Sequence, residues 1–413
     1  METQAPDLAA LAAIRDPLGV LSVYIDADPE LAANERPGWE IVVRHRLGEL
    51  REDVKDGETH DRWTAIVSAI DRLEPRVMAL AEVGESGRGR ALFAPLSEEG
   101  AEEVRVQVPL ETVVVLQDRA FLEPLVRAVD AGRPTGLVNV SRDGIRMVDL
   151  RLGAAEDADW LGFDVDTGHW GQRIGTPGHN PALGTPRGGG GTPGGGPSTG
   201  PMYQQSGAPQ KDRFDRALED HQIHFIASAA GDVVETARRR GWTRLAVAGD
   251  PRLTRPLVEG LPPNTGLEVV TVDGTFEWQR PAELAAHLAP ALDEADARRM
   301  EDLVREAADR AAAGGHGATG AADVAAALVE GRVDTLIIDP TRPIEWVRAP
   351  DGRLAPLGVV PEGADPAELE PEPRLDERMV ELAVDSSARV VAVSGSAADL
   401  LAEVGGVAAI TRW

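Results

Sequence analysis

Apolar positions along the chain switch repeatedly between a period of two and a period near four. Residues 20–26, Val-Leu-Ser-Val-Tyr-Ile-Asp, are a compact β-branched run that reads as a buried strand, ended by Asp28-Pro29. A short amphipathic helix is expected before it, over residues 6–16. From residue 37 the apolar Ile41, Val42, Leu47 and Leu50 recur at helical spacing, and residues 61–78 form a second helix. Gly87-Arg-Gly-Arg90 then leads into strands at 91–94, 104–108 and 112–116. Strands interleaved with helices predict an α/β fold.

A break near residues 131–134 precedes two strands, 135–140 and 145–150, joined by Ser141-Arg-Asp-Gly144, whose Asp-Gly step marks a tight turn. A third short strand is expected next. Over residues 211–240, Phe214, Leu218, Ile223, Phe225, Ile226, Val233 and Val234 supply the stripe of a long helix, with Gly231 as its candidate break. Strands follow at 244–249 and 267–272. The last third, from residue 273, opens with one or two helices over 282–313, then a glycine-stopped helix over 320–331 and a strand over 333–339. A polar, proline-rich excursion spans 340–373. Beyond it a helix at 376–385, a strand at 389–394, a helix at 397–403 and a strand at 407–412 predict three short parallel strands in an α/β/α sandwich.

Residues 168–210 obey neither period. They read GHWGQRIGTPGHNPALGTPRGGGGTPGGGPSTGPMYQQSGAPQ, in which glycine carries the largest backbone entropy cost of ordering and proline cannot extend a helix or a central strand. Composition alone describes a disordered linker. The side chains at its edges, His169, Trp170, Gln172 and Arg173 before the glycine run and Met202, Tyr203 and Gln204 after it, are unusual for a spacer. A glycine-rich arm carrying His169, Trp170, Gly171, Gln172, Arg173, Arg187 and Tyr203 can enter a narrow RNA-lined channel, with aromatics stacking on bases and arginine meeting phosphate.

At 413 residues the chain is long enough for two or three cores. Its formal net charge of −27 argues against non-specific coating of nucleic acid, which requires a surplus of basic groups. The local basic patch Arg44, His45, Arg46 and Arg51 is read first as a solvated helix face of Glu/Arg pairs, and second as an RNA contact. Only two of the 42 basic residues are lysines, Lys55 and Lys211, a bias that fits a GC-rich bacterial genome. The absence of cysteine excludes disulfides, thiolate metal sites and a cysteine nucleophile. His221 and His224, three apart on a helix, have no third ligand at matching spacing, and no Gly-Lys-Ser/Thr follows any glycine run, so neither a metal nor a nucleotide cofactor is expected. Without a leader-like start or a long apolar run, a cytoplasmic protein is expected, with no membrane and no DNA partner.

Thr319-Gly-Ala-Ala-Asp-Val-Ala-Ala-Ala-Leu-Val-Glu-Gly-Arg-Val-Asp-Thr-Leu-Ile-Ile-Asp339 is similar to a stretch of archaeal and eukaryotic peptide-chain release factors and of Pelota. There a glycine, a helix ending in Ala-Leu, a second glycine and a Val-x-x-Leu strand follow one another. The ending Gly405-Gly-Val-Ala-Ala-Ile-Thr-Arg-Trp413 resembles the Gly-Gly-Ile-x-Ala-Ile-Leu-Arg-Tyr ending of the same domain. Asn139-Val-Ser-Arg-Asp-Gly-Ile-Arg-Met147 is similar to the family's opening hairpin, and Leu21-Ser-Val-Tyr-Ile-Asp26 looks like the first strand of its bacterial branch.

The resemblance implies three domains. Residues 1–131 would be an N-terminal α/β domain. Residues 132–272 would be a ribonuclease-H-like middle domain carrying the Gly/Pro-rich loop 168–210, and residues 273–413 a ribosomal-protein-L7Ae-like α/β/α sandwich. The insert sits where release factors carry Gly-Gly-Gln, yet that tripeptide is absent, the nearest approximation being Gly171-Gln172, and the Asn-Ile-Lys-Ser codon-reading motif is missing too. The expectation is a ribosome-binding, non-catalytic hibernation or stress factor that occupies the A site against ribosomal RNA and faces an elongation-factor GTPase. A rescue hydrolase acting through Gln172 on peptidyl-tRNA is the alternative, and an adaptor unconnected with the ribosome a third.

Overall fold

The computed structural model describes residues 6–27, 38–57, 59–80, 87–163, 208–276, 279–342, 346–351, 353–356, 360–361, 363–372 and 375–413. The expected strand end at Asp28-Pro29, the Phe214 side chain and residues 168–207 of the insert lie outside them, whereas residues 208–210, expected in the insert, are helical. The described residues form a mixed α/β structure built on three main sheets.

The first sheet combines β1 (Arg15–Asp26), β2 (Gly89–Pro95), β3 (Glu102–Val106) and β4 (Val113–Arg119) in the order β3-β2-β1-β4, all antiparallel. Alternation along β1 sends Leu21, Val23 and Ile25 to a core under α2 (Gly38–Gly57) and α3 (His60–Ala79), and Val20 and Tyr24 to the opposite core. The Tyr24 hydroxyl donates to the Phe121 carbonyl and Ser22 Oγ accepts from the Phe121 N–H, fixing the chain as it leaves the sheet. Burial pushes the Tyr24 phenol well above its ordinary pKa.

Some elements depart from the pattern-based expectation. The first helix, α1 (Leu8–Ala12), is shorter than expected and gives way to β1 at Arg15. On α2 the buried apolar positions are Val43, Leu47 and Leu50, while Ile41 and Val42 are 61% and 47% exposed. The spacing of four and three from Val43 sets the inner face, and Ile41 and Val42 fall off it. A helix not anticipated, α4 (Glu123–Ala131), follows β4 and buries Leu125, Val126 and Ala128.

The second sheet has the order β7-β6-β5-β8-β9, from β5 (Thr135–Val140), β6 (Gly144–Arg151), β7 (Ala154–Gly162), β8 (Arg244–Gly249) and β9 (Glu268–Asp273). β5, β6 and β7 form an antiparallel meander, and β8 and β9 add in parallel to β5, which is the expected ribonuclease-H-like arrangement. One face is covered by α5 (Ala208–Ser228), α6 (Ala230–Arg240) and α7 (Pro251–Glu259). The long helix breaks at Ala229 and not at Gly231, where the Phe225 carbonyl accepts from both Ser228 Oγ at 2.8 Å and the Ala229 N–H at 2.9 Å.

The other face is covered by α8 (Pro281–Ala312), a single 32-residue helix that serves two sheets. Its first half buries Leu284, Leu288 and Leu292 against Leu137, Ala246 and Ala248, and its second half buries Val304 and Ala307 against Ile337, Val391 and Ala408. The latter belong to the third main sheet, ordered β10-β16-β11-β15, from β10 (Gly317–Thr319), β11 (Val333–Ile338), β15 (Arg389–Ala392) and β16 (Val407–Thr411). Helices α9 (Ala321–Val329) and α10 (Leu375–Asp385) cover one face, and α8 with α11 (Gly395–Glu403) the other, giving the α/β/α sandwich.

Its strands are not all parallel, however. β11 and β15 are, whereas β16 runs antiparallel to β11 and β10 antiparallel to β16. Gly405 and Gly406, at φ of 101° and 82°, turn the chain after α11 so that β16 re-enters in the reverse direction. The stretch read as a proline-rich excursion holds a small sheet of its own, β13-β12-β14, from β12 (Trp346–Arg348), β13 (Leu354–Pro356) and β14 (Glu370–Glu372).

Charges lock these parts together. Asp296 on α8 accepts from Arg133 at 2.8 Å, from Arg244 at 2.9 Å and from Arg299 at 3.4 Å, while Asp130 at the end of α4 accepts from Arg299 at 2.9 Å and from Arg389 on β15 at 3.0 Å. Arg244 is only 3% exposed, so removing its carboxylate strands a buried cation. Asp296→Asn is expected to lower stability by about 3 kcal/mol, read as a lower urea midpoint. Glu294→Ala, in an exposed pair with Arg298 on the same helix, should leave the midpoint nearly unchanged.

Candidate functional site

The insert springs from a fixed base. At its near end the Phe163 N–H donates to the Asp143 carbonyl at 2.8 Å, and the Phe163 ring packs on Phe225 of α5 at a centroid distance of 5.4 Å. The β5–β6 turn beneath is closed by the Ser141 N–H on the Gly144 carbonyl and by Ser141 Oγ, which accepts from the Asp143 N–H. Gln222 of α5 reaches across to donate to the Arg142 carbonyl at 3.0 Å. Hairpin, strand end and helix thus form one scaffold at the root of the insert.

Beside this root, at the carboxyl ends of β5, β8 and β9, lies a crevice of about 380 Å³. In open α/β sheets such ends are the usual place for ligands, because loops diverge there and leave a gap. Asn139, Ser141, Thr275 and Phe276 line it, with Arg142 and Trp160 at the side of the hairpin. Asn139 Nδ2 donates to the Phe276 carbonyl, tying β5 to the segment after β9.

Trp160 is 43% exposed, and its position follows from two glycines paired in register, Gly144 and Gly162. A Cβ on Gly144 would lie 3.0 Å from the Trp160 ring and 2.2 Å from the Leu161 carbonyl, and one on Gly162 would lie 3.1 Å from Nε1. The indole therefore lies against bare backbone. Arg146, opposite Trp160 in the ladder, is held by Asp157 at 2.7 Å and donates to the Gln279 carbonyl at 2.5 Å. Asp143 and Asp250 also border the crevice, and Asp250 caps α7 through the Arg252 N–H. Two carboxylates, Asp143 and Asp250, offset the two lining arginines, Arg142 and Arg146, and leave no net positive charge to favour a phosphate. An exposed indole with hydroxyl and amide groups close by suits a planar, hydrogen-bonding ring.

Residues singled out by sequence fare unevenly. His169, Trp170, Gly171, Gln172, Arg173, Arg187 and Tyr203 lie outside the described residues. Arg44, His45, Arg46 and Arg51 do share the surface of α2, but carboxylates match them. Arg44 meets Glu40 and Glu74 at 3.1 and 3.3 Å, Arg46 meets Glu49 at 2.8 Å, and Arg51 meets Asp71 and Glu74 at 2.8 and 2.6 Å. His45 lies 3.2 Å from Glu49. His221 and His224 are exposed on α5, and among the described residues no group of three or more metal-capable side chains occurs. Among those residues, too, no helix is long and apolar enough to cross a membrane. Trp160, Asn139 and Phe276 escaped sequence reasoning; the signal available was the Gly144-to-Gly162 hairpin with a tryptophan near its end.

Residues 121–291 match the model of bacterial archaeo-eukaryotic release factor family 10, a span that takes in the ribonuclease-H-like sheet, the crevice and the whole insert. No curated protein matches the chain. Among solved structures, the archaeal translation termination factor aRF1 is 19% identical, with 98% of this chain and 96% of that one covered and a TM-score of 0.23. Archaeoglobus fulgidus Pelota is 13% identical over 79% of each chain, with a TM-score of 0.29. Dom34 of S. cerevisiae, a translation termination-like factor that interacts with Hbs1, is 7% identical over 76% of this chain and 72% of that one, with a TM-score of 0.38. At TM-scores this low the structural likenesses carry no argument about function. The family match makes the middle of the chain release-factor-like.

Because Gly144 has φ of 150° and no room for a Cβ, Gly144→Ala is expected to lower stability by about 1–3 kcal/mol and to displace Trp160. Urea unfolding checks the first effect. A change in tryptophan emission, absent when the substitution is made in a Trp160→Phe background, checks the second.

Proposed function

We propose that this chain is a ribosome-associated translation factor that occupies the A site without hydrolysing peptidyl-tRNA, a hibernation or stress role in the manner of the factor Balon. The observation that carries the proposal is the release-factor family match over residues 121–291, which brackets an insert rooted between β7 and α5 that lacks Gly-Gly-Gln. Without that glutamine on its glycine backbone, nothing recognisable positions a water against the ester. The insert keeps the aromatics and arginines suited to RNA, His169, Trp170, Arg173, Arg187 and Tyr203. Trp160 extends this surface to the fixed root of the insert, where a splayed base could stack. The C-terminal sandwich is the part assigned to an elongation-factor GTPase, and residues 1–131, 132–272 and 273–413 are the three working domains of the proposal.

Sedimentation of ribosomes from stationary-phase cells tests this reading: the protein should travel with them, and consistent absence from the ribosomal fractions would refute it. Trp160→Ala should weaken the association by about 1–3 kcal/mol, the scale of one base stacked on an aromatic ring. Peptide release from a programmed ribosome should stay at background for both the parent protein and Gln172→Ala. Release by the parent that falls on Gln172→Ala would instead establish the hydrolase.

A further inference from the structure

Where α4 ends, β5 begins and β15 starts, the three main sheets meet around a second cavity of about 380 Å³. Val126, Val129, Val384 and Val390 form its apolar walls. Asp130, Arg133 and Arg389 form its charged side. Behind them runs the network of Arg133, Arg244, Arg299 and Arg389 with Asp130, Asp296 and Glu268, in which Arg133 reaches Glu268 at 2.6 Å. Four guanidinium groups face three carboxylates, so this network holds one cation in excess. One donor of a lining residue, Arg133 Nε, is buried and has no hydrogen-bond partner among the described residues. A buried N–H of a charged group without an acceptor is costly, and excess positive charge in a low-dielectric pocket attracts an anion.

We propose that this cavity is a binding site for a small organic anion with an apolar body, its carboxylate head against Arg133 and Arg389 and its tail among the valines. Such a ligand bridges α4, the start of β5 and β15, and so clamps the three sheets in their mutual placement by mass action. The assignment goes beyond the ribosomal reading and does not rest on it.

Octanoate is the probe, with octylamine, octanol and inorganic phosphate as controls. At tenfold excess over its dissociation constant, octanoate should raise the Tm of the full chain by about 1–2 °C, and the controls should not. Arg389→Gln, at a half-exposed side chain, should weaken octanoate binding by about tenfold or more in calorimetry. Val129→Trp should abolish binding by filling the cavity; should that variant fail to fold, Ala388→Leu on the same wall narrows the cavity and should weaken binding likewise. An equal shift from octanol would remove the anionic half of the proposal, and an equal shift from phosphate the apolar half. Full octanoate affinity in the folded wall variants would overturn the site altogether.

Discussion

The arrangement of the chain depends on one carboxylate. Asp296 sits halfway along α8, between the half that serves the ribonuclease-H-like sheet and the half that serves the α/β/α sandwich, and gathers Arg133, Arg244 and Arg299 around itself. A buried ionic cluster of this kind adds little to stability compared with an apolar replacement, because desolvation offsets the Coulomb gain. It is selective about geometry. Any sliding or rotation of α8 against β8 separates Asp296 from Arg244 and leaves that buried guanidinium without its carboxylate, while Asp130 couples the same helix to α4 and β15. Apolar contacts along α8 would tolerate shifts of part of a turn; the charges do not.

The same division between fixed frame and variable segment organises the candidate site. The crevice stands on strand ends, a closed hairpin turn and a helix that donates across to that turn, so Trp160 and Asn139 have little positional freedom. Glycine and proline, neither of which favours a helix interior or a central strand, recur through residues 168–201 of the sequence.

How much of this was legible in the sequence varied with how local the signal was. β1, β5, β8 and β11 were readable because β-branched runs bounded by turn residues declare buried strands, and the hairpin at Asp143-Gly144 declared itself through its turn chemistry. Strand direction was not readable: β16 carries the same apolar pattern whether it runs parallel or antiparallel to β11, and only the turn at Gly405-Gly406 decides. Strands of three residues, as in β12 to β14, are too short to show a period. The crevice was invisible because Asn139, Trp160 and Phe276 are far apart in the chain and meet only through the sheet order β7-β6-β5-β8-β9. The Glu/Arg pairing read first for the basic patch on α2 was only partly traceable in the sequence, since two of the carboxylates that match it, Asp71 and Glu74, come from α3.

That pairing bears on the conflict between a net charge of −27 and an RNA-lined site. Described arginines that could have formed an RNA-binding face are engaged inside the molecule, Arg44 and Arg51 between helices and Arg133, Arg244 and Arg299 between sheets. A surface with its cations so occupied gains little from releasing counterions. On the proposed reading, the groups that meet RNA act at short range: the exposed Trp160 indole, and the aromatics and arginines of residues 169–203 of the sequence. Stacking and close backbone approach discriminate by shape, not by charge, and fall away steeply when the fit is wrong. An acidic body is therefore compatible with the proposed RNA-facing role, which rests on fit and not on net charge.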